Sequence, residues 1–468
     1  MNHLSRWCAV AVMCAEVAIV VPAQTFRTLL NFEGDNGAHP ITSFVQGRDG
    51  MLYGTTTTGG ANDGGTVFKI TYSGGLTTLY NFCAQTDCTD GTNPNTRLVL
   101  GTNGIYYGTT TEGGDPACNT PFGCGTLFEI TAKGTLNTLH IFEPGEGTNS
   151  MGGLLEATDG YLYGSASGGG ADGYGTIFKS TREGVLTTLL SFDMTDGANP
   201  GSRLIQGTDG SLYGTSRSGG NGRGGTIYRM TEAGKFKTLH SFDSKDGVSP
   251  AGLIQATDGY LYGTTAAGGP GSCNCGTVFR ISPTVGLATL HSFAGTPNDG
   301  TFPNSGLIQA TDGNFYGTTV GGGANNLGTV FKITPEGTLT TLHSFETSDG
   351  LYPYGGLFQA TNGIIYGTTY YGGDSGHYDG TVFSLDMGLA PFVTFVRAAG
   401  RVGQTGGILG QGFTGTTSVS LNGTPASFTV VSDTYIRATV PAGATTGYVT
   451  VTTPSGTLIS NVPFHVIK

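Results

Sequence analysis

A short string, Leu-Tyr-Gly-Thr-Thr at 261–265, recurs with small changes seven times along this chain. Its Tyr-Gly core stands at Tyr53, Tyr107, Tyr163, Tyr213, Tyr262, Tyr316 and Tyr366, at spacings of 54, 56, 50, 49, 54 and 50 residues. A Gly-Gly pair begins six residues after each tyrosine. A Gly-Thr pair, then Val, Ile or Leu, then Phe or Tyr, follows at Gly65, Gly125, Gly175, Gly225, Gly276, Gly328 and Gly380. A period near 50 residues marks an array of like units, each unable to bury its apolar face alone.

Each unit resolves into four strand-like runs, A to D. In the fifth copy, A is 252–256, Asp258-Gly259 is a tight turn, and B is 260–265. C is 277–282, and D is 287–293 with the pattern Thr-Leu-x-x-Phe. An Asp-Gly or Asn-Gly turn recurs at 49, 103, 159, 209, 258, 312 and 362, the strongest short signal of a hairpin. Four antiparallel strands per unit are the build of a propeller blade. Glycine, 83 of 468 residues, falls at fixed repeat positions, so the chain is neither collagen-like nor low in complexity.

The ends of the repeat choose between a ring and an open stack. A lone D-type run, 26–32, precedes the first copy, and the seventh copy lacks its D run. Pairing the two closes a ring and removes both exposed edges. The sequence therefore predicts an all-β, seven-bladed β-propeller over 24–389. Beyond Pro391 the repeat stops, and alternating runs at 419–424 and 448–452 predict a small Ig-like β-sandwich over 390–468.

Residues 1–23 read as a secretory signal peptide: Arg6, then an apolar run to Val21, then Val21-Pro22-Ala23 as the cleavage site. No later segment is suited to cross a membrane, so the protein is expected to be secreted, extracellular or at the cell surface. Six cysteines remain after cleavage, in three local pairs: Cys83/Cys88, Cys118/Cys124 and Cys273/Cys275. In an oxidising compartment these read as disulfides. Zinc is the rival reading, although a structural site needs four ligands and each pair stands alone.

The modules, with Tyr-Gly-Thr-Thr, Gly-Gly, Gly-Thr-Val-Phe and Thr-Leu-x-x-Phe, resemble the GloVer tandem-repeat family of exported bacterial proteins, whose members carry varied C-terminal anchors. The resemblance covers about 26–386 and implies export without implying an activity. The tail resembles an IPT/TIG Ig-like domain through Ile408-Leu409-Gly410-Gln411-Gly412-Phe413, Val419 to Ala426, Val440-Pro441 and Phe464-His465-Val466. That likeness implies a spacer or interaction module. No hydrophobic tail or sorting signal precedes Lys468, so no stable anchor is expected.

In such blades the A–B and C–D turns share one face, and the B–C and D–A loops share the other. The second face holds the insertions and the cysteine pairs, and function concentrates on variable loops of a rigid scaffold. Acidic pairs three apart recur in its D–A loops: Glu33 (with Asn36), Asp87/Asp90, Glu143/Glu146, Asp193/Asp196, Asp243/Asp246 and Glu346/Asp349, with Asp299 alone. These are 12 of 32 acids. Asp90, Asp196, Asp246, Asp299 and Asp349 are therefore candidate Ca²⁺ ligands. The competing and favoured reading is an Asx-type turn repeated with the blades. No cofactor is expected otherwise.

The seventh copy breaks the pattern with Tyr352, Tyr354, Tyr370, Tyr371, His377 and Tyr378. These rings are candidate ligand-binding residues, a stacking platform for a sugar or an anchor for a protein. The plain alternative is packing at the ring seam and against the tail. His140, His240, His291 and His343 share one D-strand position and read as solvated edge residues.

The net charge of −11 argues against a nucleic-acid partner. No nucleophile elbow, zinc-binding His-Glu-x-x-His, phosphate loop or dinucleotide fingerprint occurs. The expected function is binding of an extracellular glycan or surface protein through the loop face, with no catalytic residue. The alternatives are a polysaccharide-active enzyme with carboxylates at the propeller channel, and a structural surface spacer.

Overall fold

The computed structural model describes residues 24–467 apart from 283, 296, 298 and 375. The expected signal sequence at 1–23 lies outside the described residues. Among them the chain is all-β, with a single 3₁₀ turn at Thr86–Cys88. No helix among them is long and apolar enough to cross a membrane.

Seven of the sheets follow the repeat, each four-stranded and antiparallel, in a propeller-like array. The first consists of Val45–Gln46, Leu52–Thr56, Thr66–Ile70 and Leu76–Asn81. Its second strand is buried along its whole length, its third except for Lys69, and its fourth is partly exposed. That gradient follows from sheets packing face to face with only their outer strands in water.

One contact sets the register of every sheet. The glycine after each repeat tyrosine pairs across to the aromatic residue of the third strand, as in Gly54 with Phe68 and Gly263 with Phe279. A Cβ on Gly54, Gly108, Gly164, Gly214, Gly263, Gly317 or Gly367 would lie 2.4–2.8 Å from that ring. The ring covers the glycine, and no larger residue fits beneath it.

The A strands are shorter than the five residues expected. They pair over two residues in six sheets, and only the fifth, Val248–Gln255, is long, continuing through a bulge after Pro250. Prolines at 40, 94, 200, 303 and 353 precede five of the short strands, but Ser150 takes that place before an equally short one and Pro250 lies within the long one, so proline does not set the length.

The two chain ends meet as the termini imply. Thr25–Asn31 pairs antiparallel with Thr381–Asp386, completing the sheet that also holds Ile365–Thr369 and Phe358–Gln359. That sheet packs on the first through Phe32, Tyr366 and Val382 against Phe44, Leu52 and Phe68. The same side-chain link joins sheets at the seam and elsewhere. A glutamine ending an A strand accepts the N–H of a threonine in the previous sheet: Gln206 from Thr158, Gln255 from Thr208, Gln309 from Thr257 and Gln359 from Thr311. At the seam Gln46 accepts from Thr361 and donates back to its hydroxyl.

The tail forms two further four-stranded sheets and a short parallel pair, Ala399–Arg401 with His465–Ile467. Val393, Ile408, Phe413, Val419, Ile436, Val451 and Phe464 pack between them. The tail sits on the A–B turns. Thr434 donates to the Arg48 carbonyl at 2.7 Å, the Arg48 guanidinium lies 4.7 Å from the Tyr435 ring centre, and Phe392 donates to Thr361. Leu409 and Tyr435 join the core between the first two repeat sheets.

Gly263→Ala should therefore cost about 1–3 kcal/mol, because the added methyl meets the Phe279 ring. Gly259→Ala, at φ +87° with nothing within 4 Å, carries only the backbone penalty of about 1 kcal/mol. Urea unfolding of both variants checks the order, and equal losses would remove the covering ring as the cause.

Candidate functional site

Each D–A loop lies against the B–C loop of the blade it leads into. Thr57 N–H donates to the His39 carbonyl, Thr111 to Asn93, Ser167 to Asn149, Arg217 to Asn199, Val320 to Phe302 and Tyr370 to Tyr352. The accepting residue is left-handed in every one of these, and Ser249 fills the column in the remaining loop, with φ between 54° and 58°. Asparagine and histidine tolerate that conformation, whereas Phe and Tyr there are strained. Asparagine fills the column three times, whereas His39, Phe302 and Tyr352 occupy it around the seventh sheet. Of these three, Phe302 and Tyr352 carry the backbone strain.

Around Tyr352 the structure gathers a cluster of five rings. Tyr352 meets Tyr371 edge-on at 6.3 Å, Tyr371 meets Tyr370 at 4.5 Å, and Tyr370 meets Tyr354 at 5.5 Å. His39 stacks on Tyr370 at 4.7 Å and meets Tyr371 edge-on at 5.0 Å. Tyr354 and Tyr371 are each 39 % exposed, and Tyr378 52 %. His377 and Tyr378 lie exposed on the same B–C loop, with no ring contact joining Tyr378 to the cluster. The cluster does sit at the seam, through His39. The tail, by contrast, occupies the opposite face, so packing against it does not account for these tyrosines.

The His39 ring is fixed by Nδ1 against the Thr58 hydroxyl at 2.7 Å. Burial lowers its pKa below the ordinary value, with Asp379 and Asp63 opposing that. Burial likewise raises the Tyr354 and Tyr370 phenols, helped by neighbouring tyrosines. These shifts favour the neutral forms of His39, Tyr354 and Tyr370, the state suited to stacking on a sugar face or an apolar side chain. The motifs of the seventh copy do not single out His39 or Phe302; the asparagine column, compared across the seven copies, marks both.

The acidic ring has a different use. The second acid of each pair reaches back to the backbone: Glu146 accepts from Glu143 N–H, Asp196 from Asp193, Asp246 from Asp243, Asp349 from Glu346 and Asp299 from Ala294. Asp90 accepts from Ala84 and Gln85. The four D-strand histidines, expected to be solvated, instead place Nε2 on these carboxylates: His140 on Glu146, His240 on Asp246, His291 on Asp299 and His343 on Asp349, at 2.7–3.3 Å. Tyr80 does the same for Asp90. Where Leu190 replaces histidine, burial pushes the Asp196 carboxyl above its usual value. Among the described residues no three His, Cys, Asp or Glu side chains converge to hold a metal ion. Cys83–Cys88, Cys118–Cys124 and Cys273–Cys275 are disulfide-bonded.

At the channel the A-strand glutamine column holds one acid, Glu156, which accepts from Thr102 N–H and its hydroxyl and pairs with Arg182. It does a glutamine's linking work with its charge compensated. No second carboxylate joins it in that column, whose other members are Gln46, Leu100, Gln206, Gln255, Gln309 and Gln359.

A family described as the Gloeobacter/Verrucomicrobia repeat matches residues 17–208 and 201–430. No curated protein matches the chain. Among solved structures the chain is similar to an extracellular domain assigned to a hybrid two-component system of B. thetaiotaomicron. The TM-score is 0.52 at 13 % identity, over 92 % of this chain and 46 % of that one. A second such domain from the same organism gives 0.50 at 11 %, over 94 % and 55 %. The chain thus spans about half the length of these domains. A fungal alcohol oxidase of the AA5 family, in complex with copper, gives 0.52 at 13 %, over 95 % and 99 %. At such identities the likeness is one of fold.

The lowered His39 pKa has a signed consequence. The unfolded chain takes up a proton near pH 6.5 that the folded state resists. Its contribution to stability is complete above that pH and is lost as pH falls through it. Relative to its value at pH 8, the stability of His39→Asn should move increasingly in the variant's favour over wild type toward pH 5. Denaturant unfolding across that range checks this, and a constant difference would contradict it.

Proposed function

The chain belongs to the Gloeobacter/Verrucomicrobia repeat family, and from that premise we propose an exported, non-catalytic binding protein whose loop face takes a glycan. The seven repeat sheets are read as a closed seven-bladed ring over 24–389. The seam carries the same glutamine link and the same kind of interlocked core as the other junctions, which supports closure. Residues 390–468 are read as an IPT/TIG-like Ig sandwich, and 1–23 as the export signal. Three disulfides accord with an extracellular setting.

The observation that carries the glycan reading is the five-ring cluster on the face left open by the tail. Tyr352, Tyr354, Tyr370 and Tyr371 with His39 offer aromatic edges and faces together with phenol hydroxyls. That combination suits a pyranose, which pairs an apolar C–H face with a polar rim. Tyr378 and His377 extend the patch along one loop. The repeated acids are engaged with backbone amides and histidines, which supports their turn role over a Ca²⁺ role.

A polysaccharide array and calorimetry on residues 24–468, with and without Ca²⁺, test the reading. Tyr354→Ala/Tyr371→Ala should weaken binding at least tenfold while thermal unfolding stays within a few degrees of wild type, since both side chains are partly exposed. Binding that survives the double substitution would remove the patch as the site. Dependence on Ca²⁺ would return the acidic ring to consideration.

A further inference from the structure

One position on the inner wall of the ring is almost bare of side chains. Two residues before the A-strand residue that faces each repeat tyrosine stand Ser43, Gly153, Gly252, Gly306 and Gly356. The wall is tight there: a Cβ on Gly252 would lie 3.5 Å from the Gly306 Cα, and one on Gly356 3.5 Å from the Ser43 Cβ. The second and fourth blades break the column with Arg97 and Arg203. Both flank Gly153, whose Cβ would stand 3.6 Å from the Arg97 carbonyl oxygen and 3.9 Å from the Arg203 Cβ.

The two guanidinium groups have no acid to answer them. None of the ion pairs among the described residues includes Arg97 or Arg203. Arg203 Nε donates to the Leu154 carbonyl at 2.7 Å. Arg97 lies 5.5 Å from the Phe358 ring centre, reaching from the second blade to the seventh, and its Nε is buried without a hydrogen-bond partner. Glu156, the nearest acid in sequence pattern, is spent on Arg182 and Thr102. Burial depresses both arginines, Arg97 to about 9 with the Arg203 charge adding to the effect, and Arg203 to about 10. They still carry two positive charges side by side at neutral pH, in a chain of net charge −11.

A cavity of about 780 Å³ reaches Arg203 from the tight-turn end, lined also by Gln206 and Gln255 from the ring and by Arg397 and His465 from the tail. Its three acids are engaged elsewhere: Glu156 pairs with Arg182, Asp209 with Arg229, and Asp258 accepts from the Tyr262 hydroxyl. Unpaired buried ions cost several kcal/mol each. A guanidinium presents planar donors matched to two oxygens of a carboxylate or phosphate. We infer that Arg97 and Arg203 form an oxyanion site in the channel, taking the carboxylate or phosphate group of a small ligand that enters beneath the tail. The site rests on the ring contacts just given and is independent of the tyrosine patch on the other face.

The test is calorimetric titration of residues 24–468 with galacturonate and with inorganic phosphate, at constant ionic strength maintained by chloride. Wild type should bind at least one of the two, and which one separates an acid-sugar source from a phosphate source. Arg97→Gly/Arg203→Gly, which restores the repeat's own residue, should lose binding at least tenfold and melt no lower than wild type in chloride alone. Arg97→Ser, which copies Ser43 of the first blade, gives the same readout if the double variant loses its native circular dichroism. Tyr354→Ala/Tyr371→Ala should bind the anion as wild type does, so failure of one site leaves the other interpretable. Absence of binding by wild type to both anions, or equal binding by the arginine variants, overturns the inference.

Discussion

A ring lying on a glycine, once in every repeat sheet, is the contact on which the rest depends. It forces the second and third strands into one register, because a shift by one residue would turn the aromatic side chain to the other face of its sheet. With register fixed, the residue before the glycine, always tyrosine, is buried, and its hydroxyl reaches the acid or amide of the preceding tight turn, as Tyr262 does to Asp258 at 2.6 Å. The turn is thereby locked to the strand it starts. The glutamine–threonine links then join each locked sheet to the one before. Sequence motif, turn and sheet-to-sheet contact are parts of one mechanism.

The two faces of the array have different fates for the same reason. Tight Asp-Gly turns make a low, even surface, and the tail seats on it through Arg48, Thr361 and the Leu409–Tyr435 pair. Loops on the other side vary in length and are tied to their neighbours by backbone bonds and by short polar side chains. That leaves their side chains at liberty to change, and the rings around Tyr352 and the insertions pinned by disulfides are such changes.

Much of this is legible in the chain. The number of units, the strand order, the completion of the last sheet by the first strand and all three disulfides follow from periodic motifs and local spacing. Strand A reads too long because an apolar run does not encode where its ladder with the next strand stops. The D-strand histidines look solvated because their partners lie six to eight residues on, across a turn whose shape periodicity does not encode. His39 escapes notice because it sits at the opposite end of the sequence from the tyrosines it contacts. The seat of the tail is beyond reach for the same cause: Thr434 meets Arg48 across 386 residues.

The pairing of Thr25–Asn31 with Thr381–Asp386 also orders events in time. The first strand of the repeat to be synthesised has its partner at the far end of the repeat and must wait, unpaired, until that partner emerges. Contacts of such separation slow folding, because the loop must close before the pairing rewards it. The waiting strand opens with Thr-Phe-Arg-Thr, so a charge and two hydroxyl side chains interrupt its apolar residues and make it a poor template for edge-to-edge association. Synthesis of the chain, N-terminus first, thus makes the final sheet a checkpoint: a product truncated before Thr381 keeps an orphan strand at its front.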